Sequence, residues 1–376
     1  MIKYLRKRGK MLTDEIYKKA VKVIKKCCTK NGLYASVGGY TSVWARDSMI
    51  SFLGASLIKN NLFKKTFKKS LETLAKYQSE LGQIPNNVDI FSDSRTKNGV
   101  SFATIDSSLW FIIGEYIYAL RYKDRSLLRK HRKNIEKALL WVKYQDAGED
   151  LLPEQQPTCD WQDAFPHKYG HTINTQVLYY KVLELMNEKK LADKVKKTVD
   201  EHKDRKLFNG KYYSAFRWKN HDKIKEEGEW FDSLGNVLAV IFDLCDKKNS
   251  NKILDYIKNK KINKPYPIRA IDPPIDKNSK HWQDYYITSG SFPYKYLNGG
   301  VWTFIGGFYV CALVKMKRFK EAKEELIKLA EANSKSNFSE WMDGRTGKPG
   351  GGEEHAWDAG AYILAYESVK RKRCLI

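Results

Sequence analysis

The sequence predicts an all-α protein, an (α/α)6 toroid of six helical hairpins with its long loops gathered at one end. Three observations lead there. Helical periodicity returns about a dozen times along 376 residues. Short and long links between those helices alternate. No Pro/Gly/Ser-rich linker or break in composition divides the chain, so residues 1–376 read as a single domain.

The expected helices lie near 12–29, 47–60, 63–80, 105–123, 126–146, 173–187, 190–204, 232–245, 250–260, 302–316, 318–334 and 356–369. In each, apolar residues recur every three or four positions with Lys and Glu between them. Strand-like runs are short, near 211–216 and 266–271. Tight links (61–62, 124–125, 317) alternate with long ones (30–46, 81–104, 147–172, 205–231, 261–301, 335–355). Tight links make hairpins, and a ring of hairpins collects the long loops on one rim. Long loops in a compact fold usually carry function. A two-layer helical solenoid is the alternative; it calls for a repeated motif, and none is visible.

Composition narrows the function classes. Aromatics reach 13%, with 10 Trp and 23 Tyr, too many for a disordered chain. Their flat apolar faces suit both cores and sugar-binding surfaces. The formal charge of +24 invites a nucleic-acid reading. However, the lysines are interleaved with glutamates at helical spacing, as in KEAKEELIKLAEA (320–332), which is an ordinary solvated face. No nucleic-acid partner is therefore expected. Six cysteines show no CxxC pair or Cys/His metal spacing, so neither a metal nor a cofactor is assigned. The N-terminus is basic without an apolar run, and no stretch reaches membrane-spanning length. A cytoplasmic protein without a membrane partner is expected; the oligomeric state is left open.

The unusual residues fall in the long loops or at the helix starts after them. VWARDSM (43–49) sends Arg46 and Asp47 into a helix behind Trp44. An Asp in the first turn suits the helix dipole; an Arg there more often answers to a carboxylate or a ligand. TIDSSLWFI (104–112) opens a helix with Asp106, as a cap or as a site residue. TCDWQDAF (158–165) places Asp160 and Asp163 around Trp161 without a packing period. YLNGGVWTFIGGF (296–308) brings Asn298 and Trp302 next to two glycines. NFSEWMDG (337–344) holds Glu340, and GGGEEHAWDAG (350–360) holds His355 and Trp357.

Two loops that combine acids with tryptophan suit glycosidic hydrolysis, in which one carboxyl group protonates the leaving oxygen and a second activates water or attacks carbon. Rival signatures, namely a G-x-S-x-G elbow, a phosphate-cradling loop and an HExxH helix, are absent.

Taken in order, VWARDSM, TIDSSLWFI, GHTINTQVLYYKVL (170–183), YLNGGVWTFIGGF and NFSEWMDGRTGKP resemble six-hairpin glycoside hydrolases. They are most similar to glycogen-debranching-type amylo-α-1,6-glucosidases and to neutral/alkaline invertases of glycoside hydrolase family 100. The resemblance runs from about residue 40 to 366. It implies an inverting hydrolase acting on α-glucosidic bonds of an oligosaccharide or disaccharide, with Asp163 as general acid and Glu340 as general base. It also implies that Arg46 and Asp47, with Asp106 near them, grip sugar hydroxyls, and that Trp44, Trp161, Trp302 and Trp357 form stacking walls. Asp160, His171, Asn298 and His355 complete the expected binding set, Asp160 as a neighbour that raises the pKa of Asp163. Two departures stand out. The invertases follow the acid with an Arg pair, where this chain has Ala164 and Phe165, which disfavours sucrose. In the closing motif His355 and Asp358 replace Gln and Ser, and His355 is expected to introduce titration near neutral pH. A sugar epimerase built on His171 and His355, a phosphorylase, and a non-catalytic carbohydrate-binding protein are the alternatives.

Overall fold

Periodic apolar segments form fourteen helices among the described residues of this computed structural model. Described are residues 2–89, 99–165, 167–220 and 223–376, without the side chains of 2–8, 220 and 223–225. Parts of the expected long links 81–104, 147–172 and 205–231 thus lie outside the described residues. The helices are α1 (Ile2–Cys27), α2 (Ala45–Ala55), α3 (Asn61–Lys76), α4 (Asp106–Tyr122), α5 (Ser126–Lys130), α6 (Arg132–Lys143), α7 (Ile173–Leu185), α8 (Lys189–Glu201), α9 (Ser233–Ile241), α10 (Lys247–Asn259), α11 (Tyr285–Thr288), α12 (Thr303–Lys315), α13 (Phe319–Ser336) and α14 (Ala356–Arg371).

Six of them close a ring. The chain of contacts runs α2–α4–α7–α9–α12–α14 and returns from α14 to α2. These inner helices are buried on nearly every face; all nine residues of α9 and all eleven of α2 are buried. Their partners α3, α6, α8, α10 and α13 lie outside and bury one stripe, such as Ala192, Val195 and Val199 of α8, leaving lysines to water. The ring closes tightly because α2 and α14 cross at glycines: a Cβ on Gly54 would run into the Gly360 carbonyl, and one on Gly360 into the Ser51 backbone. Side chains set several helix starts. Asn60 accepts from the Leu62 backbone N–H at 2.8 Å, and Asp232 from that of Gly235 at 3.0 Å.

Eleven strands among the described residues, most of them two residues long, modify the all-α expectation. They are β1 (Cys28–Thr29), β2 (Gly32–Leu33), β3 (Val43–Trp44), β4 (Asn87–Val88), β5 (Val100–Ser101), β6 (His171–Thr172), β7 (Ser214–Asn220), β8 (Lys223–Asp232), β9 (Ile271–Asp272), β10 (Trp341–Met342) and β11 (Pro349–Gly350). The largest sheet is antiparallel in the order β6–β7–β8–β9. Its β7–β8 hairpin lies where the sequence suggested only a strand near 211–216 and a loop. The β8 segment KIKEEGEWFD is too charged to show apolar alternation. Its pairing is fixed instead through neighbours, with Phe231 opposite Asp272 and His171 opposite Arg217.

Several helix boundaries differ from expectation: α2 stops at Ala55 and α9 at Ile241, short of the expected 60 and 245, and α11 lies inside the expected link 261–301. α1 begins well before residue 12, because its basic first turns carry no readable apolar period. The segment 126–146 breaks at His131, whose Nδ1 lies 2.6 Å from Glu115 Oε1. Among the described residues no helix is long and apolar enough to cross a membrane.

The topology positions the site. Long links precede the inner helices and short ones follow them, so the long loops meet over the inner helices' N-terminal ends.

Candidate active site

One pocket opens at that rim, about 100 Å³ in volume. Trp44, Arg46 and Asp47 reach it from the start of α2, Trp302 from that of α12, and His355 and Trp357 from that of α14. The loops add Tyr40, Trp161, Asp163, Tyr296 and Glu340. Helix N-termini present unpaired N–H groups and a positive field, which favours carboxylates and electron-rich ligand oxygens there.

On one wall Arg46 is buried and joins two carboxylates. Its Nη1 donates to Asp106 Oδ1 and Oδ2 at 2.9 and 3.1 Å, and its Nη2 lies 3.6 Å from Asp163 Oδ2. Asp106 is fully buried, and burial lifts its pKa to about 6 against the pull of Arg46. Asp47 is lifted to about 6 for the same first reason. Asp163 faces the lumen, its side chain 38% exposed. Its pKa is raised, chiefly by withdrawal from bulk water, with Arg46 pulling down and Asp160 pushing up.

Glu340 faces the same lumen. Tyr296 Oη donates to its Oε1 at 3.4 Å, and Tyr40 Oη lies 3.5 Å from the same atom. Burial raises Glu340 to about 7; the Tyr296 hydrogen bond opposes this, and Asp47 and Asp163 add to it. The loop shape that presents Glu340 needs a glycine. Gly351 has φ +73, and a Cβ there would meet the Glu340 carboxylate.

Aromatic rings build the remaining walls. Trp357 stacks on Phe304 at 4.2 Å, and Trp302 meets both Trp161 and Trp357 edge to face. Trp161 is buried, although its stretch carries no packing period. His355 is buried at 2% exposure, and burial lowers its pKa to about 4. The expected titration near neutral pH is thereby corrected. Among the described residues, Trp44 Nε1, Trp161 Nε1 and both His355 ring nitrogens are buried without a hydrogen-bond partner. Buried polar atoms are seldom left unpaired, and these four belong to residues that line the pocket.

Four expected binding residues stand outside the lining. Asp106 acts from behind Arg46. Asp160 is buried against Lys168 Nζ at 2.7 Å. Asn298 holds loop backbone, accepting from the Ile275 N–H and donating to the Ile275 and Ser291 carbonyls. His171 pairs with Asp150 and Glu154, each at 3.4 Å, so the pocket takes His355 without the second histidine of the epimerase alternative.

The sequence did not single out Tyr40, Tyr296 or Lys168. Lys168 is buried and donates to Asp160, to Asp232 at 2.8 Å and to Gln162 Oε1 at 2.6 Å. Burial works against its charge, but the two aspartates outweigh it and hold its pKa above the usual lysine value. It ties the Asp160–Asp163 loop to the N-cap of α9. The signal for the tyrosines was their position in loops beside tryptophan, which the 23 tyrosines of the chain obscure.

Comparison with known proteins bears on this arrangement. The sequence profile of the family described as Amylo-alpha-1,6-glucosidase matches residues 16–365. The chain belongs to that family. The amylo-alpha-1,6-glucosidase-like chain is also 30% identical over 125 residues to neutral/alkaline invertase 1, mitochondrial, of Oryza sativa subsp. japonica, covering 31% of this chain and 19% of the invertase. It is 27% identical over 156 residues to cytosolic invertase 1 of the same plant, covering 39% of this chain and 26% of the relative. The matches thus span about a quarter or less of each curated relative. Among solved structures, a GH63 mannosylglycerate hydrolase from Thermus thermophilus in complex with glucose superposes with TM-score 0.71 at 13% identity, covering 93% of this chain and 99% of the other. A rhamnosidase from Klebsiella oxytoca with rhamnose bound gives TM-score 0.64 at 12% identity, covering 95% and 64%. At such identities the likeness is one of fold, and the fold is that of six-hairpin glycosidases.

Proposed function

We propose that the protein is an inverting glycoside hydrolase of α-glucosidic bonds, with Asp163 as general acid and Glu340 as general base. The observation that carries this reading is the shared pocket: both carboxylates line one lumen walled by tryptophan. Asp163, its pKa raised by burial, delivers a proton to the glycosidic oxygen. Glu340, at about 7, is ready to take a proton from water as that water attacks the anomeric carbon.

Arg46 orients Asp163 and, with Asp47, meets sugar hydroxyls. Trp44, Trp161, Trp302 and Trp357 supply the stacking faces. The substrate is an α-1,6-linked glucose remnant or a sucrose-like disaccharide. Phe165, where the resembling invertases carry Arg, packs against Tyr286 at 5.1 Å and away from sugar chemistry, which favours the α-1,6 glucan. A single domain over 1–376, supported by the ring closing between α14 and α2, and a cytoplasmic location belong to the same reading.

A panel of isomaltose, panose, limit dextrin, sucrose, maltose and trehalose tests it. Release of glucose from the α-1,6-linked members is expected. Absence of sugar release from every member overturns the proposal.

A further inference from the structure

Four positions after Asp163, the loop carries a histidine that the glycosidase chemistry leaves unused. His167 is buried, and it meets Glu226 of β8 and His281 of the segment before α11. One ligand atom from each of the three lies within 4.8 Å of the others. Among the described residues no other group of three or more His, Cys, Asp or Glu is so placed.

We propose that His167, Glu226 and His281 form a binding site for a divalent transition metal of the zinc class. The donor set is two imidazole nitrogens and one carboxylate oxygen, which suits zinc and leaves a fourth position for water. The surroundings already orient the ligands. Tyr285 Oη lies 3.2 Å from His167 Nδ1, which leaves Nε2 as the nitrogen turned towards Glu226 Oε1. Tyr169 Oη donates to Glu226 Oε2, leaving Oε1 for a ligand. Hydrogen bonds of this kind, made by the far side of each ligand, hold metal-binding histidines and carboxylates in register. Aromatic rings shelter the cluster: Trp230 meets His281 edge to face at 5.1 Å, and Phe216 meets His167 at 6.0 Å.

The ligand atoms must rearrange to admit the ion. Tetrahedral zinc with bonds of about 2.0–2.1 Å holds its ligand atoms about 3.3 Å apart. The direct His167–Glu226 contact opens to admit the ion, and His281 closes from within 4.8 Å to bonding distance. Once bound, the ion joins three separate segments: the loop that carries Asp163, the β7–β8 hairpin and the turn before α11. Because these ligands come from three distant stretches, no spacing motif announces them in the sequence. The site stands independently of the glycosidase reading.

The test uses the full chain, stripped with chelator, equilibrated with Zn2+ alone, desalted and analysed for retained metal. Wild type is expected to retain about one zinc per chain and to gain thermal stability from it. His281→Ala and the near-isosteric Glu226→Gln are expected to bind zinc about tenfold or more weakly and to lose the thermal gain. Circular dichroism of the metal-free variants confirms folding, and Glu226→Gln carries the test if His281→Ala fails to fold. Equal zinc retention by wild type and a folded variant, or none by wild type, overturns the proposal.

Discussion

The Arg46 guanidinium lies 3.6 Å from the Asp163 carboxylate while its other terminal nitrogen is committed to Asp106. One buried cation thus neutralises a structural acid and positions the proposed proton donor. Arg46→Ala leaves Asp106 buried without its partner, and such losses cost about 3–5 kcal/mol. Urea denaturation is expected to show that loss at neutral pH. A stability equal to wild type would mean that Asp106 does not depend on Arg46.

The pH dependence of kcat/KM follows from Glu340. A general base must be ionised, so activity falls as pH drops below about 7, the pKa of Glu340. The Tyr296 hydrogen bond lowers that value. Tyr296→Phe is therefore expected to move the acid limb to higher pH. A limb that stays in place, or moves down, would remove Tyr296 from the control of Glu340.

The same shift has a cost in stability. Glu340 is lifted from 4.5 to about 7, so the folded protein holds this proton more tightly than the unfolded chain does. Stability therefore falls as pH rises through that window; the penalty is absent below 4.5 and full above 7. Glu340→Gln is expected to abolish turnover yet raise stability at alkaline pH by on the order of 1–3 kcal/mol, with no gain in acid. Melting curves across pH would show it; an equal change at both ends would contradict the linkage.

Gly351→Ala joins backbone to site. The residue sits at φ +73 with its missing Cβ facing Glu340. Strain of about 1 kcal/mol or more is expected, together with a fall in kcat of about 100-fold from a displaced base. An unchanged kcat would show that the loop does not set the Glu340 position.

How far the sequence carried depended on where the information lay. The inner helix TFIGGFYVCALVK and its outer neighbour FKEAKEELIKLAEANSKS differ visibly in polarity, so ring and rim could be read from apolar period and link length. Arg46 at a helix start announced its need for a carboxylate. The β7–β8 hairpin stayed hidden because its pairing is fixed by partners far along the chain. Lys168 looked like any other surface lysine until folding enclosed it between Asp160 and Asp232. Asn298 and His171 looked like site residues because a polar side chain in a loop does not reveal whether it faces ligand or backbone.

The central claim, that Asp163 and Glu340 cleave a glycosidic bond by single displacement, is tested most directly by proton NMR of the first-formed sugar. Hydrolysis of an α-1,6-linked glucoside is predicted to release β-glucose before mutarotation. Initial release of α-glucose would contradict it.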